Sequence, residues 1–317
     1  MAEKKQIKQK ATSEVQTSGV VLFAFGKTAY YWATFNLAFT IKYHNPNIKI
    51  AVFTDDPDSL RGAVYNCDYF DCVSQIDIND LSTDKRFDPA KLKLSLYKYL
   101  PFDYNLYLDV DAIALKDLQP MIDELIGANK YYVTHTVGYH TIKQGRDIQT
   151  MQWAWADDIW KQYNLSDKAI LPAINSSMQF IVKSDESKKL YETAFELFQN
   201  PIPINKLRMK WGNGQPDELY MNIALAKLGH DPGFKNDGRV GKSESGFIHF
   251  AMRRSLTYEE VIENFYLQSY YGGVRFTPLF YTEWIDRILR RDLSKVGITH
   301  EFFIEKITKY KHADNKK

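Results

Sequence analysis

Two cysteines in 317 residues, Cys67 and Cys72 with four residues between them, are too few to build a disulfide framework. No second Cys or His pair lies near them, which argues against a zinc site; two reduced thiols at a strand edge and a reducing compartment are expected. An excess of charge of one sign is also missing. Lys and Arg number 41 against 39 Asp and Glu, a formal net charge of +2, so no overall field draws the chain to nucleic acid or to an anionic membrane, and any basic patch is local. No run of about 18 apolar residues occurs, so no membrane-spanning helix is expected. The opening MAEKKQIKQKATSEVQTSG lacks any apolar stretch and reads as a disordered tail rather than a secretory signal or anchor. Internal repeats and low-complexity tracts are absent as well.

What is present is a globular composition, 44% hydrophobic, in a chain long enough for one large domain or two small ones. Aromatics make up 15%, with 21 Tyr and 19 Phe, flat faces with a polar handle that suit sugar and base recognition as well as a core. Val20 to Phe25 is a continuous apolar run ending at Gly26, the pattern of a strand buried on both faces, and an amphipathic stretch extends from there to His44. A second apolar run, Ile48 to Thr54, stops at Asp55, Asp56 and Pro57, where a turn and a new helix start are favoured. Strand, helix, strand demands parallel pairing and a right-handed crossover, hence an α/β sheet covered by helices on both faces. Further strands are expected over Tyr69 to Ile76, Tyr131 to Val137 and Met178 to Val182. Helices are expected over Ala90 to Leu100, Ser184 to Gln199, Pro216 to Leu228 and Tyr258 to Phe265.

The segment LYLDVDAIAL carries the chemistry. Leu106, Tyr107, Leu108 and Val110 bracket Asp109, so a buried strand runs into Asp109 and Asp111 at its carboxyl end, where open α/β sheets bind ligands. Asp-x-Asp is a common turn sequence, but turn acids sit among polar neighbours, whereas here apolar residues flank the pair on both sides. Two like charges buried together are costly unless a cation or hydrogen bonds compensate. Carboxylates at i and i+2 on a tightening strand end can both reach one hard divalent cation, which in turn can bridge phosphate oxygens.

The order of these features resembles the GT-A fold glycosyltransferases, most closely glycosyltransferase family 8, the glycogenin and bacterial lipopolysaccharide galactosyltransferase group. The resemblance spans about Val20 to Phe250. It implies a Rossmann-like, mixed and mostly parallel sheet flanked by helices in a single domain, with a helical C-terminal appendage. The boundaries expected are a tail over 1–19, a catalytic domain over 20–255 (nucleotide-binding half 20–115, acceptor half 116–255) and the appendage over 256–317. In VVLFAFG and the adjoining KTAYY, the resemblance implies that Ala24, Phe25, Gly26, Thr28 and Tyr30 lie near uridine; in VFTDD, that Asp55 or Asp56 touches the nucleoside. LYLDVDAI is close to the family's metal-binding strand, making Asp109 and Asp111 metal ligands, and GFIHFA resembles the segment whose histidine completes the site, making His249 the third. Histidine beside two carboxylates suits Mn(II), with Mg(II) as the alternative.

By the same resemblance, Asn175 and Ser176 in INSSMQFIV would hydrogen-bond sugar hydroxyls, and Asp217 and Glu218 in GNGQPDELYMN would stand beside the reacting sugar carbon as catalytic groups. A polar turn and ordinary first-turn helix acids are the competing readings of those two segments. Lys91 and Lys93, on the helix before the metal strand, would face the nucleotide sugar. Arg253 and Arg254 would hold the leaving group, although most of the family has a Lys-Pro-Trp-like element where AMRRSL stands here. The implied activity is metal-dependent transfer of a hexose from a UDP-sugar to an acceptor hydroxyl with retention of configuration.

Three rival functions stand beside it. A sugar nucleotidyltransferase would need a Gly-rich basic loop after the first strand, and FGKTAYYW is poor in glycine. A non-catalytic GT-A-like binding protein would not need intact acids and histidine. A DNA-modifying glycosyltransferase acting on a hydroxylated base is weakened by the near-neutral charge. The acceptor classes are thus glycan, lipid-linked, protein or modified DNA. In YTEWIDRILRRDLSKVG, Trp284, Ile285, Ile288 and Leu289 share one helical face with Arg287, Arg290 and Arg291 around the others; it packs on its own domain or provides peripheral contact with the inner face of a membrane. A cytoplasmic location is expected.

Overall fold

A computed structural model of the chain describes residues 17–26, 30, 31, 34, 37, 38, 41, 42, 44–58, 60, 69–83, 86–110, 112–114, 117–141, 156–201, 216–233 and 247–249. The strands are β1 (Ser18–Ala24), β2 (Lys49–Thr54), β3 (Cys72–Gln75), β4 (Ser82–Thr83), β5 (Arg86–Phe87), β6 (Tyr104–Leu108), β7 (Ala112–Ala114), β8 (Tyr132–His140), β9 (Leu171–Val182) and β10 (Phe247–His249). The helices are α1 (Ile78–Leu81), α2 (Pro89–Leu94), α3 (Gln119–Gly127), α4 (Ala156–Tyr163), α5 (Asp185–Gln199) and α6 (Asp217–Leu228). The described residues between 30 and 44 are helical too.

Six strands form the central sheet in the order β3-β2-β1-β6-β9-β8. Pairing is parallel from β3 through β6; β9 runs antiparallel to β6, and β8 antiparallel to β9. Five of the six strands therefore point the same way, and the sheet is mixed but mostly parallel, as the strand-helix-strand pattern requires. The continuous apolar runs of β1 and β2 are buried on both faces. Val21, Phe23, Ala51, Phe53 and Tyr107 join a core with residues of α2, α5 and α6, while the alternate positions Val20, Leu22, Ile50, Val52 and Leu106 are buried on the other face.

The chain passes from β1 outward to β2 and β3, then returns to the other side of β1 for β6. This reversal opens a crevice at the carboxyl ends of β1 and β6, the place where doubly wound sheets bind ligands. β1 starts at Ser18, inside the expected tail, because Ser18 and Gly19 pair with Tyr104 and Asn105; small residues give no apolar signal of such pairing. The expected helix over Ala90 to Leu100 is split into α2 and a 3-10 turn, Leu96–Tyr99, and the strand expected at Met178 begins seven residues earlier, at Leu171. Cys72 begins the edge strand β3, exposed and with a free thiol; Cys67 lies outside the described residues. Among the described residues no helix is long and apolar enough to cross a membrane. The expected helix over Tyr258 to Phe265 and the segment from Phe280 onward lie outside them.

Candidate active site

At the end of β1, Gly26 adopts a left-handed backbone, φ 81°, which lets its N–H donate to Asp55 Oδ2 at 2.9 Å beyond the end of β2. Tyr31 donates its hydroxyl to the other oxygen of Asp55 at 2.8 Å, and burial together with that carboxylate pushes the Tyr31 pKa up. Asp55 thus ties the two strand ends to the helix after β1. Phe25 and Tyr30 stack at 6.3 Å, offering a flat aromatic surface beside Gly26. Ala24 is fully buried at the strand end. Asp56 accepts from the Asp58 N–H at 3.1 Å and its carbonyl from the Leu60 N–H at 3.0 Å, the pattern of a helix start. Thr28 lies outside the described residues.

Across the crevice, β6 delivers Asp109, whose carboxylate is nearly buried. Lys93 Nζ lies 2.8 and 2.9 Å from its two oxygens, and Tyr107 donates to Oδ1 at 2.7 Å. Burial and the neighbouring negative charge push the Tyr107 phenol well above its ordinary range, so it stays a donor. Lys93 arrives on α2, a helix that begins with Pro89 and is capped by Asp88 accepting from the Lys91 N–H. Lys91, two positions away and hence on another face, donates to the Ser82 carbonyl at 2.8 Å. The structure therefore brings Lys93 to the acid and takes Lys91 away from it.

The third contributor is α6, packed on α2 and β9. Its first turn holds Asp217 and Glu218 with no side-chain cap before them, where the helix dipole favours negative charge. Burial raises the Asp217 pKa; Lys93 and a hydrogen bond with Ser176 act against that rise and Asp109 adds to it. Glu218 Oε1 accepts from the Ser176 N–H at 3.2 Å, and Ser176 Oγ lies 3.5 Å from Lys93 Nζ. Asn175 uses its side-chain oxygen on the Ser177 N–H at 3.0 Å. Lys93, Asp109, Ser176, Asp217 and Glu218 are thus one connected polar group at the carboxyl end of β6.

Asp111, Arg253 and Arg254 lie outside the described residues, as does the side chain of His249. The backbone of His249 is in β10, which pairs antiparallel with β7 and sets His249 opposite Ala112, the residue after Asp111. That register brings a nitrogen-bearing position onto the chain segment of the two acids. Two carboxylates and an imidazole are a donor set that fits Mn(II). Among the described residues alone, no group of three His, Cys, Asp or Glu could hold an ion. Sequence reasoning missed Tyr107 and Asn222 as polar parts of this site. Tyr107 gave a signal in its place two residues before Asp109, on a strand whose side chains alternate; Asn222 gave one as an amide in an otherwise apolar helix segment.

No protein-family model matches the sequence, and no curated protein matches it. Solved structures do. The chain is similar to an active-site mutant of LgtC, with TM-score 0.50 and 13% identity over 86% of this chain and 96% of that one. It is also similar to the galactosyltransferase LgtC in complex with donor and acceptor sugar analogs (TM-score 0.45, 14% identity, 68% of this chain and 72% of that one). A third likeness is to the glycosyltransferase GlyE of Streptococcus pneumoniae TIGR4 (TM-score 0.48, 14% identity, 93% and 64%). The match that spans nearly all of the LgtC mutant chain carries the fold: a mixed, mostly parallel sheet flanked by helices, the GT-A architecture expected from the sequence.

Proposed function

We propose that this chain is a metal-dependent glycosyltransferase that moves a hexose from a UDP-sugar to an acceptor hydroxyl with retention of configuration. The observation that supports it most is the joining of Asp109, Lys93, Ser176 and Asp217 at the carboxyl end of β6, beside the aromatic pair Phe25 and Tyr30 at the end of β1. The aromatic pair and Gly26 receive the uracil and ribose. Asp109, Asp111 and His249 would hold Mn(II), which when bound supplies a positive charge for the diphosphate that leaves.

The remaining work falls to side chains. The bond between the anomeric carbon and the diphosphate breaks, the acceptor oxygen bonds to that carbon on the same face, and the hydroxyl proton passes to the departing phosphate oxygen. Positive charge grows on the sugar ring during this exchange, and a carboxylate close by stabilises it. Asp217 takes that role, because it shares Lys93 with Asp109 and hydrogen-bonds with Ser176, whereas Glu218 has one oxygen committed to the backbone of Ser176. Lys93 keeps the two acids from repelling each other and orients Asp109.

A panel of nucleotide sugars with manganese, monitored for UDP release with and without chelator, tests the proposal. Release from a UDP-hexose that stops on chelation is expected; no metal-dependent release from any nucleotide sugar would sink it. Asp109→Asn is expected to lower turnover by about a hundredfold or more with the fold intact, since a removed electrostatic group in a water-poor site costs on that order. Unchanged turnover would move the metal site elsewhere. Duplex DNA and glycans offered as acceptors at rising salt separate the acceptor classes.

A further inference from the structure

Strand β9 shifts its register against β8 in the middle. Its residues from Gln179 to Ile181 pair with β8 at Thr134 to Tyr132, and Asn175 pairs with His135, so Ser176, Ser177 and Met178 have no opposite residue on β8. This bulge lies beside the end of β6, where the last pair is Leu108 with Met178. A bulge leaves backbone groups without their ladder partners, and buried ones must be satisfied otherwise. Here side chains do it. Thr134 Oγ1 lies within hydrogen-bonding reach of the Asn175 and Met178 carbonyls, at 2.9 and 2.6 Å, and Gln179 Nε2 donates to the Ser176 carbonyl at 3.2 Å. The Ser177 carbonyl accepts from the Asp109 N–H at 2.8 Å. The bulge therefore holds Asp109 by its backbone and presents Ser176 to Lys93.

Two N–H groups, one in the bulge and one just before it, are taken by a single helix. Glu218 Oε1 accepts from Ser176 and Asn222 Oδ1 accepts from Ile174, each at 3.2 Å. Glu218 and Asn222 are four apart on α6, one turn, and residues 174 and 176 are two apart on the strand, so both pairs lie on one line. Asn222 is fully buried, and its Nδ2 has no hydrogen-bond partner among the described residues. A buried amide that uses only its oxygen is a costly choice where Leu would pack, and the oxygen is what the strand needs.

We propose that Asn222 is a positioning residue: with Glu218 it forms a two-rung clamp by which α6 sets the β9 bulge, and through the bulge the places of Asp109 and Ser176. Its consequence for turnover rests on the glycosyl-transfer reading; its consequence for the strand does not. Asn222→Leu keeps the branched shape and the number of heavy atoms and removes the acceptor oxygen, whereas Asn222→Asp, a carboxyl that full burial holds protonated, keeps that oxygen. Amide hydrogen exchange of the full chain is expected to be about five- to tenfold faster over Ile174 to Met178 in Asn222→Leu, the worth of one net hydrogen bond, with Phe180 to Val182 unchanged and Asn222→Asp near the natural protein. For UDP release, Asn222→Leu is expected to lose about ten- to a hundredfold in kcat, as misplacement of reacting groups does. Its KM for the nucleotide sugar stays within about twofold, and Asn222→Asp restores most of kcat. Exchange over 174–178 that does not change, or Leu and Asp variants that fall alike, would overturn the proposal. Should Asn222→Leu fail to fold, Asn222→Ala against Asn222→Asp makes the same comparison. A natural chain that releases no UDP but shows the exchange effect refutes the transferase reading and leaves the clamp standing.

Discussion

Asp109 and Asp217 are two acids served by one ammonium, and their surroundings give them different tasks. Asp109 has both oxygens bound, by Lys93 and Tyr107, and is held in a fixed place. For Asp217, burial outweighs the help of Lys93 and Ser176 and raises its pKa above the ordinary 3.8. A carboxyl raised in the fold supports stability fully below the unfolded value, and that support is lost as pH rises through the folded value. Ionisation of Asp217 is therefore a cost carried by the fold. Asp217→Asn is expected to raise the urea midpoint relative to the natural protein more at pH 7 than at pH 4, while UDP release falls. Equal midpoints at both pH values would show that Asp217 is not strained by burial. The acids themselves were legible in the sequence as residue types at strand and helix ends. The partner of each was not, because Lys93 meets Asp109 only when α2 and β6 pack.

Among the elements, β1 and β6 illustrate how close two neighbours must come for the crevice to form. Gly19 in β1 faces Phe102 on the approach to β6; a Cβ there would collide with that ring and stand 2.8 Å from the Lys49 carbonyl of β2. Gly19→Ala is expected to cost about 1–3 kcal/mol as overpacking, read as a lowered thermal midpoint, with Gly127→Ala, where a Cβ meets open space, as the neutral or stabilising control. A midpoint unchanged by Gly19→Ala would mean the strand pair gives way more easily than its packing indicates. The apolar runs of β1, β2 and β6 were readable because strands buried on both faces have no polar break. β9 was only half readable. Its polar NSS segment looks like a turn, and it remains a strand because α6, Thr134 and Gln179 satisfy its backbone from the side.

For the molecule as a whole, three histidines set an acid limit. Desolvation lowers the pKa of His44, His140 and His230 from 6.5, with Asp117 acting against it at His44 and the Tyr132 carbonyl at His230, where the ring sits 3.9 Å from Tyr131. Neutral imidazoles in the fold bind fewer protons than in the unfolded chain below pH 6.5, so their contribution is present above that pH and is lost as pH falls towards the folded values. The thermal midpoint is expected to be a few degrees lower at pH 5.5 than at pH 7.5, and His230→Gln, which keeps a group able to donate to the Tyr132 carbonyl, to narrow that gap. A gap of unchanged size would assign the pH dependence to other groups.

The sequence by itself determined the strands β1, β2 and β6 and the helices α5 and α6, since hydrophobic period and length reflect burial on one face or two, and it determined that two acids end a buried strand. What only the tertiary structure decided is the company those acids keep: Lys93 rather than Lys91 at Asp109, Asp217 beside both, His249 opposite Ala112, and Asn222 beneath the bulge. The physical reason is range. Periodicity is a property of a few consecutive bonds, while hydrogen bonds and ion pairs act over about three ångströms between atoms that the chain brings together only after the sheet order has been chosen.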